Sequence, residues 1–301
     1  MKIKNDALGG FLVGHLIAAL AIFPWFFSWT GVALFAVGIY VFGVLGINIG
    51  YHRLITHRSF SCPLWLEHTL VGFGACSLQF APAFWAAIHR RHHHFADDEQ
   101  DPHSPVVSFF WAHFGWLLAR PADMRPGPLT ERYAKDLLRD TFYAWLGRRK
   151  NWMKLAFLSW AAFFVAGLGV AALSGASMPG AIQFGSSLLV WGGALRTVVV
   201  WHTTWSVNSV THIWGYRNYD TPDSSRNNAI VALLAGGEGW HNNHHADPGS
   251  ARHGHNWWEF DLSWLTVRVL MLLGLATNVV LPSTHRVAMF NAHAKSRQTP
   301  V

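Results

Sequence analysis

The sequence predicts an all-α integral membrane protein. Four transmembrane helices form two hairpins, and a cytoplasmic helical cap carries three clusters of histidines. Three observations lead there. The 301-residue chain is 51% hydrophobic and 13% charged, where a soluble domain is about 25% charged. Four segments reach the roughly 20 apolar residues needed to cross a hydrocarbon core. Lysine and arginine are absent from the two short connections Ser28–Gly31 and Ser174–Ala181.

The first span begins at Phe11 in "FLVGHLIAALAIFPWFFSW", and the second at Gly31 in "GVALFAVGIYVFGVLGINIG". MKIK precedes the first, as in a signal peptide. No small-residue cleavage site follows and a second span comes at once, so the segment is expected to be retained. The third span begins at Met153, and the fourth runs from Ile182 to Trp205. Positive charge gathers in the N-terminus, the middle section and the C-terminal section, which places both termini and the middle section in the cytoplasm. Two further apolar stretches, Leu64–Ile88 and Trp264–Leu281, read as buried or interfacial helices on that face. Residues 1–292 form a single membrane domain, and the tail 293–301 is expected to be disordered.

The net charge of +7 fits basic cytoplasmic loops rather than a nucleic-acid surface. Cys62 and Cys76 form no CxxC pair and read as apolar fillers. The nineteen histidines are out of proportion. "HRLITH" holds His52 and His57, "HRRHH" holds His89, His92 and His93, and "HNNHH" holds His241, His244 and His245. The last two clusters share the spacing i, i+3, i+4, which brings three rings onto one helical face. Rings so crowded cannot all be charged, and neutral imidazoles presented together suit a metal. His52 and His57 stand about 140° apart on an ideal α-helix, so they are expected to converge only if the second helix ends between them. A structural zinc takes four ligands, so eight histidines fit two metals better. Zn, Fe, Cu and Ni all remain open: two open-shell metals would suit O₂ activation, two zincs hydrolysis.

In order along the chain, "GYHRLITHRSF", "HRRHHHFADDEQDPHSP", "TWSVNSVTHIWGYRNYD" and "GEGWHNNHH" resemble the membrane-bound histidine-box fatty acyl desaturases, in particular their delta-9 branch. The likeness extends from about Gly46 to Phe260. It implies a di-iron centre (two Fe ions, with O₂ as co-substrate) held by nine histidines. Eight are those named above, and the ninth is His212 of "NSVTH". Asn208 is then expected to hold a metal-bound water. No catalytic residue beyond the metal centre is implied. Asp101 and Glu238 are positioned to accept the other N–H of ligand imidazoles, and His103 belongs to a supporting DPH motif.

The implied reaction is O₂-dependent insertion of a cis double bond, at delta-9, into a saturated acyl chain. Trp85, Thr204 and Trp205 match positions at the bend of the substrate tunnel. Val44 and Tyr40, eight and twelve residues before His52, are expected to close its end. Animal acyl-CoA desaturases carry an Arg–Asp pair where this chain has Ala87 and Ile88, which favours an acyl lipid over acyl-CoA. Arg90, Arg91 and Arg120 remain candidates to contact a head group or a CoA phosphate. No HPGG haem motif occurs, so electrons are expected from a separate ferredoxin, rubredoxin, or flavin- or cytochrome-type donor. A bacterial inner membrane is the expected location. Related di-iron hydroxylation or acetylenation, and a non-catalytic membrane metal or lipid binder, are the alternatives.

Overall fold

In a computed structural model the structure describes residues 4–119 and 124–287. The expected tail and Arg120 lie outside these residues. Eleven helices organise the described part: α1 (Asn5–Ala19), α2 (Trp29–Thr56), α3 (Leu64–Ala75), α4 (Pro82–His94), α5 (Pro126–Tyr133), α6 (Thr141–Gly147), α7 (Asn151–Leu173), α8 (Met178–His212), α9 (Ala229–Leu234), α10 (His241–Ala246) and α11 (Leu262–Leu272). A π-turn, Trp111–Gly115, leads into a short helix, Trp116–Leu118. Among the described residues β-pairing is limited to isolated bridges.

Four helical stretches are long and apolar enough to cross a membrane: Asn5–Ile22, Trp29–Thr56, Thr141–Leu173 and Met178–His212. They turn apolar side chains outward, Leu16, Leu158 and Leu173 among them, while Arg196 and Asn48 point inward. This inversion suits a helix whose surroundings are lipid. The first span starts earlier than its hydropathy suggests and stops at Ile22. Pro24 lacks an amide proton and opens a separate 3₁₀ turn, with Phe23 extended before it.

The apolar stretch from Leu64 to Ile88 is two helices rather than one. Leu78 and Phe80 adopt left-handed backbone in the break, and Pro82 then starts α4 from its first turn. The stretch from Trp264 is helical only to Leu272. Gly274, at φ +70, ends it, and the chain then runs beside the segment after α2, where Thr277 and Ser61 exchange two backbone hydrogen bonds of 2.8 Å.

Helices α2 and α3 pack backbone to backbone. A Cβ on Gly46 would lie 2.5 Å from the Gly74 nitrogen, and one on Gly50 2.8 Å from the Leu70 carbonyl. This approach holds the end of α2 under the cap.

The end of α2 falls where it was expected, at Thr56 between the two histidines, with His57 capping it; the winding that leads there differs from an α-helix. From Ile39 to Thr56 the helix is π-wound, and the His57 N–H donates to the His52 carbonyl, five residues back, at 3.1 Å. In such winding residues i and i+5 stack one above the other, so the two rings come within 4.8 Å of each other.

Candidate metal centre

Helices α2, α4, α8 and α10 bring nine histidines together. His52, His57, His89, His93 and His244 form one cluster, and His92, His212, His241 and His245 a second. All nine match the expected set. In the first, His52 Nε2 lies 2.9 Å from His89 Nε2 and 3.1 Å from His244 Nε2. His93 Nε2 lies 3.0 Å from His89 and 2.9 Å from His244. In the second, His92 and His245 meet Nε2 to Nε2 at 3.2 Å, and His241 and His212 at 3.0 Å.

Carboxylates stand behind these rings. Glu238 accepts from His52 Nδ1 at 2.5 Å, Asp101 from His92 Nδ1 at 2.9 Å, and Asp223 from His245 Nδ1 at 2.8 Å. Asp97 lies 3.0 Å from His212 Nδ1. An ionised carboxylate only accepts, so each of the three bonded rings carries its proton on Nδ1 and turns a bare Nε2 lone pair inward. With both rings neutral, His92 and His245 thus aim two lone pairs at each other across 3.2 Å, an arrangement relieved by a bound metal ion or by a proton taken up on one of them. His57 Nε2 is buried with no hydrogen-bond partner. The donor set fits metal ions held by neutral imidazole and oriented by carboxylates.

The electrostatics agree. Burial, then neighbouring imidazoles, hold His57, His89, His93, His241 and His244 well below the ordinary histidine range, which keeps them neutral. Burial also lowers His92, but Asp101 reverses this and leaves it raised. For the carboxylates, burial works upward and is overcome. His92 and His103 hold Asp101 low, His245 holds Asp223 low, and His212 with Ser224 brings Asp97 to about 2. Glu238 is held low chiefly by Arg53. Among the described residues three aspartates surround the second cluster, whereas the first has a single glutamate shared with an arginine.

That arginine is fully buried. Arg53 reaches Glu238 at 2.9 Å, Asp261 at 3.0 Å and the Ala251 carbonyl at 2.7 Å. Gly237 permits this: its φ is +111, and a Cβ there would meet Asp261 Oδ1. Arg53 therefore ties the end of α2 to Glu238 and, through Asp261, to the start of α11, while Glu238 holds the His52 ring.

Sequence reasoning found Glu238 and Asp101 but missed Asp97 and Asp223. It also gave no role to His253, which is buried 3.4 Å from Glu238 with its ring 4.5 Å from that of His244. His103 packs 4.4 Å from the His92 ring, and its backbone N–H donates to Asp101 at 3.1 Å. Burial, then His92, push its imidazole down to about 3. His94 is exposed beside these buried rings.

A cavity of about 770 Å³ leads to the clusters, lined by Trp85, His89, Trp201, Thr204, Trp205 and Asn208 and reaching Glu131 and Lys150. A smaller recess continues beyond, walled by Ile39, Gly43, Val44 and Val200, and shares Trp85, His89, Thr204 and Asn208 with the larger space. Gln79 donates to Thr204 at 3.0 Å at this junction. Val44 is thus where a closing residue was expected. Tyr40 is not: it lines neither space, is 37% exposed, and bonds Thr266 at 3.0 Å. Arg90 is committed to Asp136 and to the Ile55, Thr56 and Tyr133 carbonyls, and Arg91 is buried against the Gln100 carbonyl, so neither guanidinium is presented to a head group.

A helical membrane bundle with a carboxylate-backed nonahistidine centre at the foot of an apolar cavity defines a class of membrane metalloproteins. The chain matches the fatty acid desaturase family model over residues 24–268, and it belongs to that family. It is 43% identical to an sn-1 stearoyl-lipid 9-desaturase of Anabaena variabilis, over 90% of this chain and 92% of the relative. It is 40% identical to an sn-2 palmitoyl-lipid 9-desaturase of Nostoc, over 90% and 88%. A third relative, the sn-1 stearoyl-lipid 9-desaturase of Synechocystis, is 41% identical over 89% and 77%. The protein is an oxidoreductase of the desaturase type that acts on fatty acyl chains.

Proposed function

We propose that this enzyme inserts a cis double bond at carbon 9 of a stearoyl or palmitoyl chain esterified to a membrane glycerolipid, using O₂ and two iron ions. The observation that carries the metal assignment is the convergence of Nε2 atoms, His92 on His245 among them, across nine imidazoles, and iron in place of zinc rests on membership of the desaturase family. The lipid assignment is supported by the printed activities of the relatives. It is also supported by the buried, uncharged Ala87 and Ile88 at 0% and 4% exposure.

His52, His57, His89, His93 and His244 would hold one iron, and His92, His212, His241 and His245 the other, with Asn208 acting through a water. Bound iron would supply O₂ activation; the overall reaction would take two external electrons and two protons, remove two hydrogens from adjacent methylenes and release two waters. The chain's own groups do the rest. Glu238, Asp97, Asp101 and Asp223 hold the imidazoles in the tautomer that presents Nε2. Trp85, Thr204 and Trp205 line the passage where it bends past the clusters. Val44, Gly43 and Val200 receive the methyl end and exclude water from it.

The active site and both termini face the cytoplasm of a bacterial inner membrane, on the distribution of lysine and arginine. A separate soluble donor of the ferredoxin, rubredoxin, or flavin or cytochrome type supplies the electrons. The test is expression in cells with saturated lipids, followed by double-bond mapping in each lipid class. Delta-9 monoenes in glycerolipids are expected. A gain of one oxygen in place of the loss of two hydrogens would overturn the desaturation assignment. Turnover of purified enzyme with stearoyl-CoA but not with phospholipid would overturn the lipid assignment.

A further inference from the structure

Three half-buried histidines outside both clusters form a chain of their own: His15 on α1, His202 on α8 and His113 on the π-turn. His15 Nδ1 lies 2.7 Å from the Phe11 carbonyl, and its Nε2 2.9 Å from His202 Nε2. His202 Nδ1 lies 2.9 Å from His113 Nε2, and His113 Nδ1 2.9 Å from Ser209 Oγ.

A carbonyl only accepts, so a neutral His15 donates from Nδ1 and accepts at Nε2. His202 must then donate from Nε2, and a neutral His202 accepts at Nδ1 from His113 Nε2. The Ser209 hydroxyl, 2.9 Å from His113 Nδ1, also donates to the Trp205 carbonyl at 2.8 Å, so the chain ends on the backbone of Trp205 itself. All six ring nitrogens have polar partners, which is how polar groups are tolerated between membrane helices.

The chain wraps the two tryptophans that wall the substrate cavity. The His202 ring is edge-on to Trp205 at 5.2 Å, and His113 likewise at 6.0 Å. His15 lies 6.0 Å from Trp201, which stacks on Trp205 at 5.6 Å. Trp201 has its own anchor, an indole N–H to the Ser77 carbonyl at 2.7 Å. Both indoles face the cavity beside Thr204, near His89 and Asn208.

We infer that His15, His113 and His202 are positioning residues that set which carbons are desaturated, by holding Trp205 as the wall against which the acyl chain lies. The inference rests on the acyl desaturase reading. Successive methylenes are chemically alike, so only confinement of the chain decides which pair faces the metal clusters, and a misplacement of about 1 Å is enough to change reaction rates strongly. A tie that merely fastened α1 to α8 would affect folding and leave the bond position alone.

The test replaces His202 in two ways and maps double bonds in lipids from cells expressing each protein. His202→Phe keeps a ring but removes both nitrogens, whereas His202→Gln keeps a donor and an acceptor. Wild type and His202→Gln are expected to give one bond position. His202→Phe is expected to give a mixture of neighbouring positions with bound iron per chain unchanged. His113→Phe, at the other side of the chain, carries the same expectation should His202→Phe fail to accumulate in membranes. A single unchanged position in whichever Phe variants accumulate, at any rate of turnover, overturns the inference. A wild type that forms no double bond would instead sink the functional reading on which it rests.

Discussion

His57 donates its backbone N–H to the carbonyl of His52 at 3.1 Å, and this five-residue step stacks their two imidazoles in one cluster. The π-winding of α2 thus does for HxxxxH what an α-helix does for the i, i+4 pairs in α4 and α10. Replacement of His57 by Ala removes one of five converging nitrogens and is expected to abolish desaturation while the protein still inserts in the membrane. His94→Ala, on the exposed side of α4, is expected to keep wild-type activity. Lipid analysis of cells expressing each variant checks both.

The carboxylates behind the second cluster are expected to tune metal affinity. Asp223 accepts from His245 at 2.8 Å, and Asp97 lies 3.0 Å from His212. Asp223→Asn and Asp97→Asn should each weaken iron binding about 10–100-fold, read by chelator competition on purified protein. Unchanged affinity in both would show that these acids serve folding alone.

Arg53 is enclosed by Glu238 and Asp261. Arg53→Met strands two buried carboxylates and is expected to cost about 3–5 kcal/mol, measured by denaturant unfolding in detergent. A loss below about 1 kcal/mol, the value of an exposed pair, would contradict the enclosure.

Asp136 ties α4 to the segment after α5, bonding Arg90 at 2.7 Å and Arg58 at 2.6 Å. Burial works against its ionisation, but the two guanidinium groups bring its carboxyl down to about 2. A depressed carboxyl contributes stability in full above its unfolded value of 3.8, and that contribution fades as pH falls towards about 2. The pair is partly exposed, so its worth is about 1 kcal/mol or less. Asp136→Asn should therefore melt below wild type at pH 7, with the gap closing between pH 4 and 2. A gap that stays constant with pH would exclude the charge as its cause.

Chain length is expected to follow the far recess. A Cβ on Gly43 would lie 3.3 Å from Val200 Cγ2, so Gly43→Ala should shorten the preferred acyl chain. Tyr40→Ala should leave the chain-length profile unchanged, because Tyr40 lies outside the recess against Thr266. Product profiles from a mixed acyl pool test both.

What was legible in the sequence depended on distance along the chain. Two histidine clusters announced themselves because i, i+3, i+4 is a local pattern, and the spans because hydropathy is local too. His212 stands alone, and only the family resemblance singled it out. Asp97 and Asp223 escaped because each finds its imidazole across the fold: Asp97 pairs with the histidine that ends the fourth span. His253 escaped for the same reason. Tyr40 was misplaced by extending an α-helical period over twelve residues of a π-wound helix, where the angular error accumulates at each turn. Pro24, Pro82 and Gly274 broke apolar runs that hydropathy had read as continuous.

The most direct test of the two-metal centre is the iron content of protein purified without chelators and reconstituted anaerobically. Nine imidazoles in clusters of five and four predict about two iron ions per chain, falling to about one when His212 and His241 are both replaced by Ala. A wild-type content of one iron or none after reconstitution, or a content that the double replacement leaves unchanged, would contradict it.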